Sequence, residues 1–170
     1  MKFALLLSSA LIFVAPAVRA EDALVTAGNA YRAAWDAEPL IIPYATLTTE
    51  PAIGYGQYDP RPDNVLKAGE HAFIYFEPVG YGFKTDANNF NTFGLTVDLT
   101  IAKPDGTVVF SQENFQHLEW LTRVQLHEVI MNLDIGFGTM PAGDYVLNFL
   151  VHDENSTETA PFNVPITIKG

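Results

Sequence analysis

The sequence contains no cysteine. Disulfide staples, thiolate metal centres, thiol nucleophiles and dithiol exchange are therefore excluded. Positive charge is scarce: nine Lys and Arg stand against 20 Asp and Glu, a formal charge of −11. A field of that sign repels nucleic acid and anionic lipid and tolerates cationic partners. The four histidines never recur two or four positions apart, and neither HExxH nor GxSxG occurs. The short signatures of zinc hydrolases and serine hydrolases are thus missing, and no cofactor is implied.

Long apolar runs are also absent, with one short exception. MKFALLLSSALIFVAPAVRA opens with Lys2, continues as an apolar run from Phe3 to Val14 broken by Ser8 and Ser9, and ends in Val18-Arg19-Ala20. Small residues at −3 and −1 follow the pattern of a secretory signal peptide cut after Ala20. The run falls short of the roughly 20 apolar residues that span a bilayer, and Pro16 interrupts its end. No cysteine follows the cut, so no lipoprotein anchor is expected. The chain is thus expected to be exported, periplasmic or extracellular, with no transmembrane segment in its mature part. Loss of Lys2 and Arg19 takes two of the nine basic residues and deepens the charge from −11 to −13.

Aromatic residues are plentiful: 12 Phe, 7 Tyr and 2 Trp supply the apolar area that a cysteine-free core needs. Residues 21–39 form the first segment after the leader. Leu24, Ala27, Tyr31 and Ala34 or Trp35 recur at helical spacing and Pro39 ends the run, which predicts a helix over 22–37 packing Tyr31 and Trp35 on the body. Residues 40–170 read as strand and turn. LIIPYATLT holds a proline and predicts an edge or bent strand. AGEHAFIYFEPVGYG carries a second strand. In FGLTVDLTIAKPDG, Leu95, Val97, Leu99 and Ile101 alternate with Thr96, Asp98 and Thr100, and Pro104-Asp105-Gly106 turns the chain back into TVVFSQENF. RVQLHEVIMNLDI predicts a further strand of ambiguous period. DYVLNFLVHD and APFNVPITIK close the chain, with Phe162, Val164, Ile166 and Ile168 facing inward. The expected architecture is all-β: an antiparallel β-sandwich of seven to eight strands behind one short N-terminal α-helix.

PAGDYVLNFLVHD followed by FNVPITI resembles the last hairpin of immunoglobulin-like and fibronectin-like sandwiches. The resemblance implies a tyrosine corner, with Tyr145 bonding back to the turn backbone beside Gly143. It covers about 30 residues and implies a fold, on which many functions sit. The stretch YGQYDPRPDNVLKAGEHAFIYFEPVGYGF is similar to a family of secreted bacterial proteins, which implies export and a sandwich but no mechanism.

Several residue groups are candidates for chemistry. His127-Glu128 and His152-Asp153 are adjacent pairs, and neighbours on a strand face opposite ways, so neither pair can chelate one ion from a regular strand. A copper site would need several strands to converge, with Met131 or Met140 as soft ligands. DANNFN, with Asp86, Asn88 and Asn89, and HDENST, with Asp153, Glu154 and Asn155, carry oxygen ligands for calcium but lack the DxDxDG spacing. Ordinary turn hydrogen bonding explains both loops better. Glu77 lies among aromatics in FIYFEPVGYG, where burial would call for a partner such as Arg61 or Arg123.

The leading expectation is a secreted, non-enzymatic binding or interaction module whose partner is an envelope protein, a peptide or a glycan. Its ligand surface is expected at Tyr55, Tyr58, Arg61, Glu77 and Tyr81, where aromatic rings and glycines share two connections. The alternatives are a small periplasmic hydrolase centred on Glu77 and a second carboxylate, and a periplasmic copper or calcium binder. Strand addition at a sheet edge is a further possibility, against which the proline of LIIPYATLT argues.

Overall fold

The structure, a computed structural model, describes residues 20–170. The expected signal peptide lies outside these residues apart from Ala20. The chain forms two units, one ending at Ala33 and one running from Ala34 to Gly170. The helix α1 spans Ala20–Ala37. No helix among the described residues is long and apolar enough to cross a membrane.

Along α1 the Thr26 hydroxyl donates to the Asp22 carbonyl, and Arg32 donates to the Asn29 side chain. Tyr31 is 51% exposed. Trp35, in the second unit, is buried and its indole N–H donates to the Tyr81 carbonyl at 3.0 Å. The helix stops because Pro39 cannot continue it, and the chain then passes close to Gly80. Gly80 has φ 82°, and a Cβ there would lie 2.4 Å from the Pro39 carbonyl oxygen. Only glycine combines that backbone with so close an approach.

The second unit is a two-sheet sandwich. Its strands are β1 (Ile41–Thr48), β2 (Val65–Lys67), β3 (His71–Val79), β4 (Lys84–Thr85), β5 (Asn91–Ala102), β6 (Val108–Thr122), β7 (Met131–Gly136), β8 (Gly143–Asp153) and β9 (Thr159–Lys169). The small sheet runs β1-β3-β7 and the large one β2-β9-β8-β5-β4, with β6 on the other edge of β5. Only the β2–β9 pairing is parallel. This arrangement of two sheets, with β5–β6 and β8–β9 as hairpins of the large one, is that of immunoglobulin-like sandwiches.

Alternation makes the core. Leu95, Val97, Leu99 and Ile101 of β5, Tyr145, Leu147, Phe149 and Val151 of β8, and Val164, Ile166 and Ile168 of β9 are all buried. Ala72, Ile74 and Phe76 of β3 and Leu133 and Ile135 of β7 meet them from the small sheet. The tyrosine corner is present: the Tyr145 hydroxyl donates to the Pro141 carbonyl at 2.9 Å. This ties the β7–β8 turn to the strand it feeds.

The structure departs from expectation around residues 107–135. Strand β6 runs on to Thr122, and residues 123–130 are irregular rather than strand. The chain leaves the sheet because this segment caps one end of the core instead. The Leu126 carbonyl accepts the Tyr81 hydroxyl at 2.6 Å, the His127 ring stands edge-on to Trp35, and Val129 is buried. The proline-bearing strand β1 does lie at a sheet edge, with a register shift between Ile41 and Tyr44 around Pro43.

Candidate functional site

Register alone assembles one aromatic cluster. Tyr44 on β1 pairs with Glu77 on β3, and Thr46 pairs with Tyr75. Two-residue periodicity sends these side chains to the face of the small sheet turned away from the core. Asn132 of β7 pairs with Tyr75 from the other side and shares that face. Residues 49–64 fold back over it. The Asn132 amide clamps Ala52 by accepting its N–H at 3.0 Å and donating to its carbonyl at 2.9 Å.

Tyr75 is the centre of the cluster. Fully buried beneath the loop, it donates its hydroxyl proton to Glu77 Oε1 at 2.8 Å and accepts the Gly56 N–H at 2.9 Å. Burial pushes its pKa up; the Gly56 N–H opposes this and the adjacent Glu77 carboxylate adds to it. Tyr58 stacks on the Tyr75 ring at 4.4 Å between centroids, and Tyr44 leans on both, 5.9 Å from Tyr58. A hydrogen bond with Tyr44, then burial and the charge of Glu77, push Tyr58 up to about 12. Tyr55, in the same loop, is 40% exposed, and Tyr44 is 39% exposed. Beside Tyr58 a hollow of about 310 Å³ is lined by Glu50, Pro51, Ile53, Gly56, Gln57 and Asp59.

Of the five residues expected to form a ligand surface, Tyr55, Tyr58 and Glu77 come together through Tyr75. Arg61 turns elsewhere: it meets Glu70 at 2.7 Å and the Val65 carbonyl at 2.8 Å. Glu70 accepts the Lys67 N–H with its other oxygen, and that bond, followed by Arg61, holds its carboxyl below the usual range. The acid that Arg61 pairs with is thus Glu70 and not Glu77. Arg123 does not reach Glu77 either. It donates to the Asn88 carbonyl and lies 3.6 Å over the Phe90 ring. Tyr81 is buried in the core, stacked on Phe93 at 4.6 Å. Sequence reasoning missed Tyr44, Tyr75 and Asn132. All three stood in expected strands, but their convergence depends on a pairing register that the sequence does not display.

The histidines and acidic loops have structural partners. His152 Nε2 lies 2.7 Å from Asp98, His117 lies 3.1 Å from Glu154, and His71 faces Asp134. Among the described residues no three His, Asp or Glu side chains gather as a metal site would require. Asp86 accepts the N–H groups of Asn88 and Phe90, shaping its own turn. Asp153, on the face opposite His152, is buried and accepts from Gly82 N–H, Asn155 N–H and the Ser156 hydroxyl. These are the hydrogen bonds of a loop junction.

No family model matches the sequence, and no curated protein matches it. Among solved structures, the chain is similar to a PKD domain of an M14-like peptidase from Thermoplasmatales archaeon SCGC AB-540-F20, at TM-score 0.37 and 15% identity, covering 78% of this chain and 98% of that one. It is also similar to a CARDB domain from Pyrococcus furiosus solved in complex with di-metal ions, at TM-score 0.32 and 14% identity, covering 75% of this chain and 90% of that one. At TM-scores this low neither likeness speaks to what this chain binds.

Proposed function

We propose that this chain is an exported, non-enzymatic binding module whose ligand surface is the tyrosine cluster on the outer face of the small sheet. The observation that carries the reading is the Tyr58–Tyr75 stack, fixed from below by Glu77 and from the loop by the Gly56 N–H. Rings already held in place lose little freedom when a ligand covers them. Tyr44 and Tyr55 extend the platform into solvent, and Glu50, Gln57 and Asp59 border it with hydrogen-bond acceptors. A surface of aromatic faces edged by acceptors suits a glycan, whose sugar rings offer an apolar face and a rim of hydroxyl donors. Glu77 serves here to position Tyr75, which favours binding over hydrolysis centred on that acid. Export rests on the leader sequence.

The test is a glycan array probed with the chain lacking residues 1–20, followed by titration of the best glycan against Tyr55→Ala and Tyr58→Ala. Loss of at least tenfold in affinity in either variant, with melting temperature retained, supports the reading. Binding that neither variant weakens, or no glycan bound at all, removes it.

A further inference from the structure

A second surface lies on the open side of the sandwich, where β6 forms the free edge of the large sheet. Among the described residues β6 pairs with β5 alone. Its first five residues are all exposed, with Val108 at 57%, Val109 at 44% and Phe110 at 42%. Soluble proteins blunt such edges with lysine, proline or a bulge. Strand β6 contains neither lysine nor proline; its register against β5 shifts at Val109 and again near Asn114 (φ 51°), and Phe110–Gln112 pair regularly between the two irregularities. Three consecutive large apolar residues exposed on an open ladder are otherwise a liability, unless something covers them.

The same residues open onto a groove. Phe110 pairs with the buried Ile101 and so faces the interior side of the sheet. With Val109 it lines a cavity of about 980 Å³ whose other apolar walls include Leu99, Ile135, Phe137 and Met140. The groove exists because β7 is the last strand of the small sheet and no strand lies beyond it to cover β6. Charge marks its rim. Asp105 and Asp144 border the groove against one cation, Lys103, and Glu113 follows the free segment of β6. The chain as a whole carries −11.

We propose that β6, along its regular residues 110–112 and beside the exposed Val108 and Val109, accepts an extended segment of a partner protein in which apolar residues alternate with Lys or Arg. The segment joins the large sheet as one more strand. Its backbone bonds to the free edge of β6, its apolar residues enter the groove beside Phe110, and its cations meet the acidic rim. A second copy of this chain fits less well, because two edges with the same negative field repel.

The experiment uses a heptapeptide alternating lysine and valine, and a control of equal charge with proline in place of each valine. Proline removes the backbone donor that strand addition needs. Saturable binding is expected for the first peptide and at least tenfold weaker binding for the control. Val109→Lys should weaken the first peptide at least tenfold, while Leu121→Lys, on the far half of β6, should not; circular dichroism checks that both variants fold. Equal affinity for the two peptides would reduce the effect to charge attraction and overturn the proposal, as would no binding. A wild-type dimer in sedimentation that Val109→Lys dissolves would assign the edge to a second copy, and would likewise overturn it. None of these outcomes bears on the tyrosine cluster.

Discussion

Asp98 holds His152 from one oxygen, at 2.7 Å, and the N–H of Asn114 from the other, at 2.8 Å. One carboxylate thus joins β5 to both β6 and β8. It pins one of the two register shifts between β5 and β6, the one where Asn114 adopts a left-handed backbone, and it fixes the outward side chain at the end of β8. Burial works to raise the Asp98 pKa, but the Asn114 N–H and the His152 ring outweigh it and hold the pKa below the usual value. A carboxyl depressed by folding contributes stability above its unfolded pKa and loses it as pH falls through its folded pKa. Asp98→Asn is therefore expected to cost about 1–2 kcal/mol near neutral pH. That cost should shrink as pH falls past the ordinary carboxylate value and through the lower value that folding gives Asp98. Urea unfolding at pH 7 and pH 3 checks both; a difference that does not change with pH would show that the charge is irrelevant.

The tyrosine corner predicts a modest, local effect. Tyr145→Phe keeps the buried ring and removes only the bond to the Pro141 carbonyl. A loss of about 1 kcal/mol is expected, the ordinary net worth of one hydrogen bond. Chemical denaturation of the variant measures it, and no change in midpoint would mean that water replaces the hydroxyl fully.

Two glycines separate backbone strain from crowding. Gly80 at φ 82° and Gly106 at φ 87° both occupy the left-handed region, but only at Gly80 does a neighbouring atom, the Pro39 carbonyl oxygen, block a Cβ. Gly106→Ala should cost about 1 kcal/mol from conformation alone. Gly80→Ala should cost clearly more, because backbone has to move. Thermal melts of the two variants side by side test this ordering, and equal losses would refute the close contact.

The tyrosine cluster has an alkaline signature. Tyr58 is pushed from 10.0 up to about 12, with the Tyr44 hydrogen bond as the largest cause. A group whose pKa folding raises contributes stability below its unfolded pKa and loses it as pH climbs through its folded pKa. Stability should therefore decline between pH 10 and 12. In ultraviolet titration of phenolate, Tyr58→Phe should remove one late-ionising group, and Tyr44→Phe should let Tyr58 ionise earlier. If neither variant altered the late phase, the cluster would not be coupled in solution.

What could be read along the chain was what depends on near neighbours. Alternation in residues 95–101 and 145–151 marked buried strands, because a strand buries every second residue whatever it pairs with. The corner at Tyr145 was implied by the resemblance of the last hairpin, and its bond closes on Pro141, four residues away. The helix stop at Pro39 was legible for the same local reason.

Tertiary structure decided everything that turns on which strands meet. The pairing of Tyr44 with Glu77 collected Tyr58 and Tyr75 into one cluster, and an amide 80 residues from Ala52 clamped the loop over it. Arg61 paired with Glu70, nine residues on, and Glu77 with the Tyr75 hydroxyl. Residues 123–130 had strand-like composition, yet they capped the core because the small sheet ends at β7. Local propensity gives each segment a preferred shape, but register and edge are properties of pairs, and a pair of distant residues becomes neighbours only when the sandwich closes.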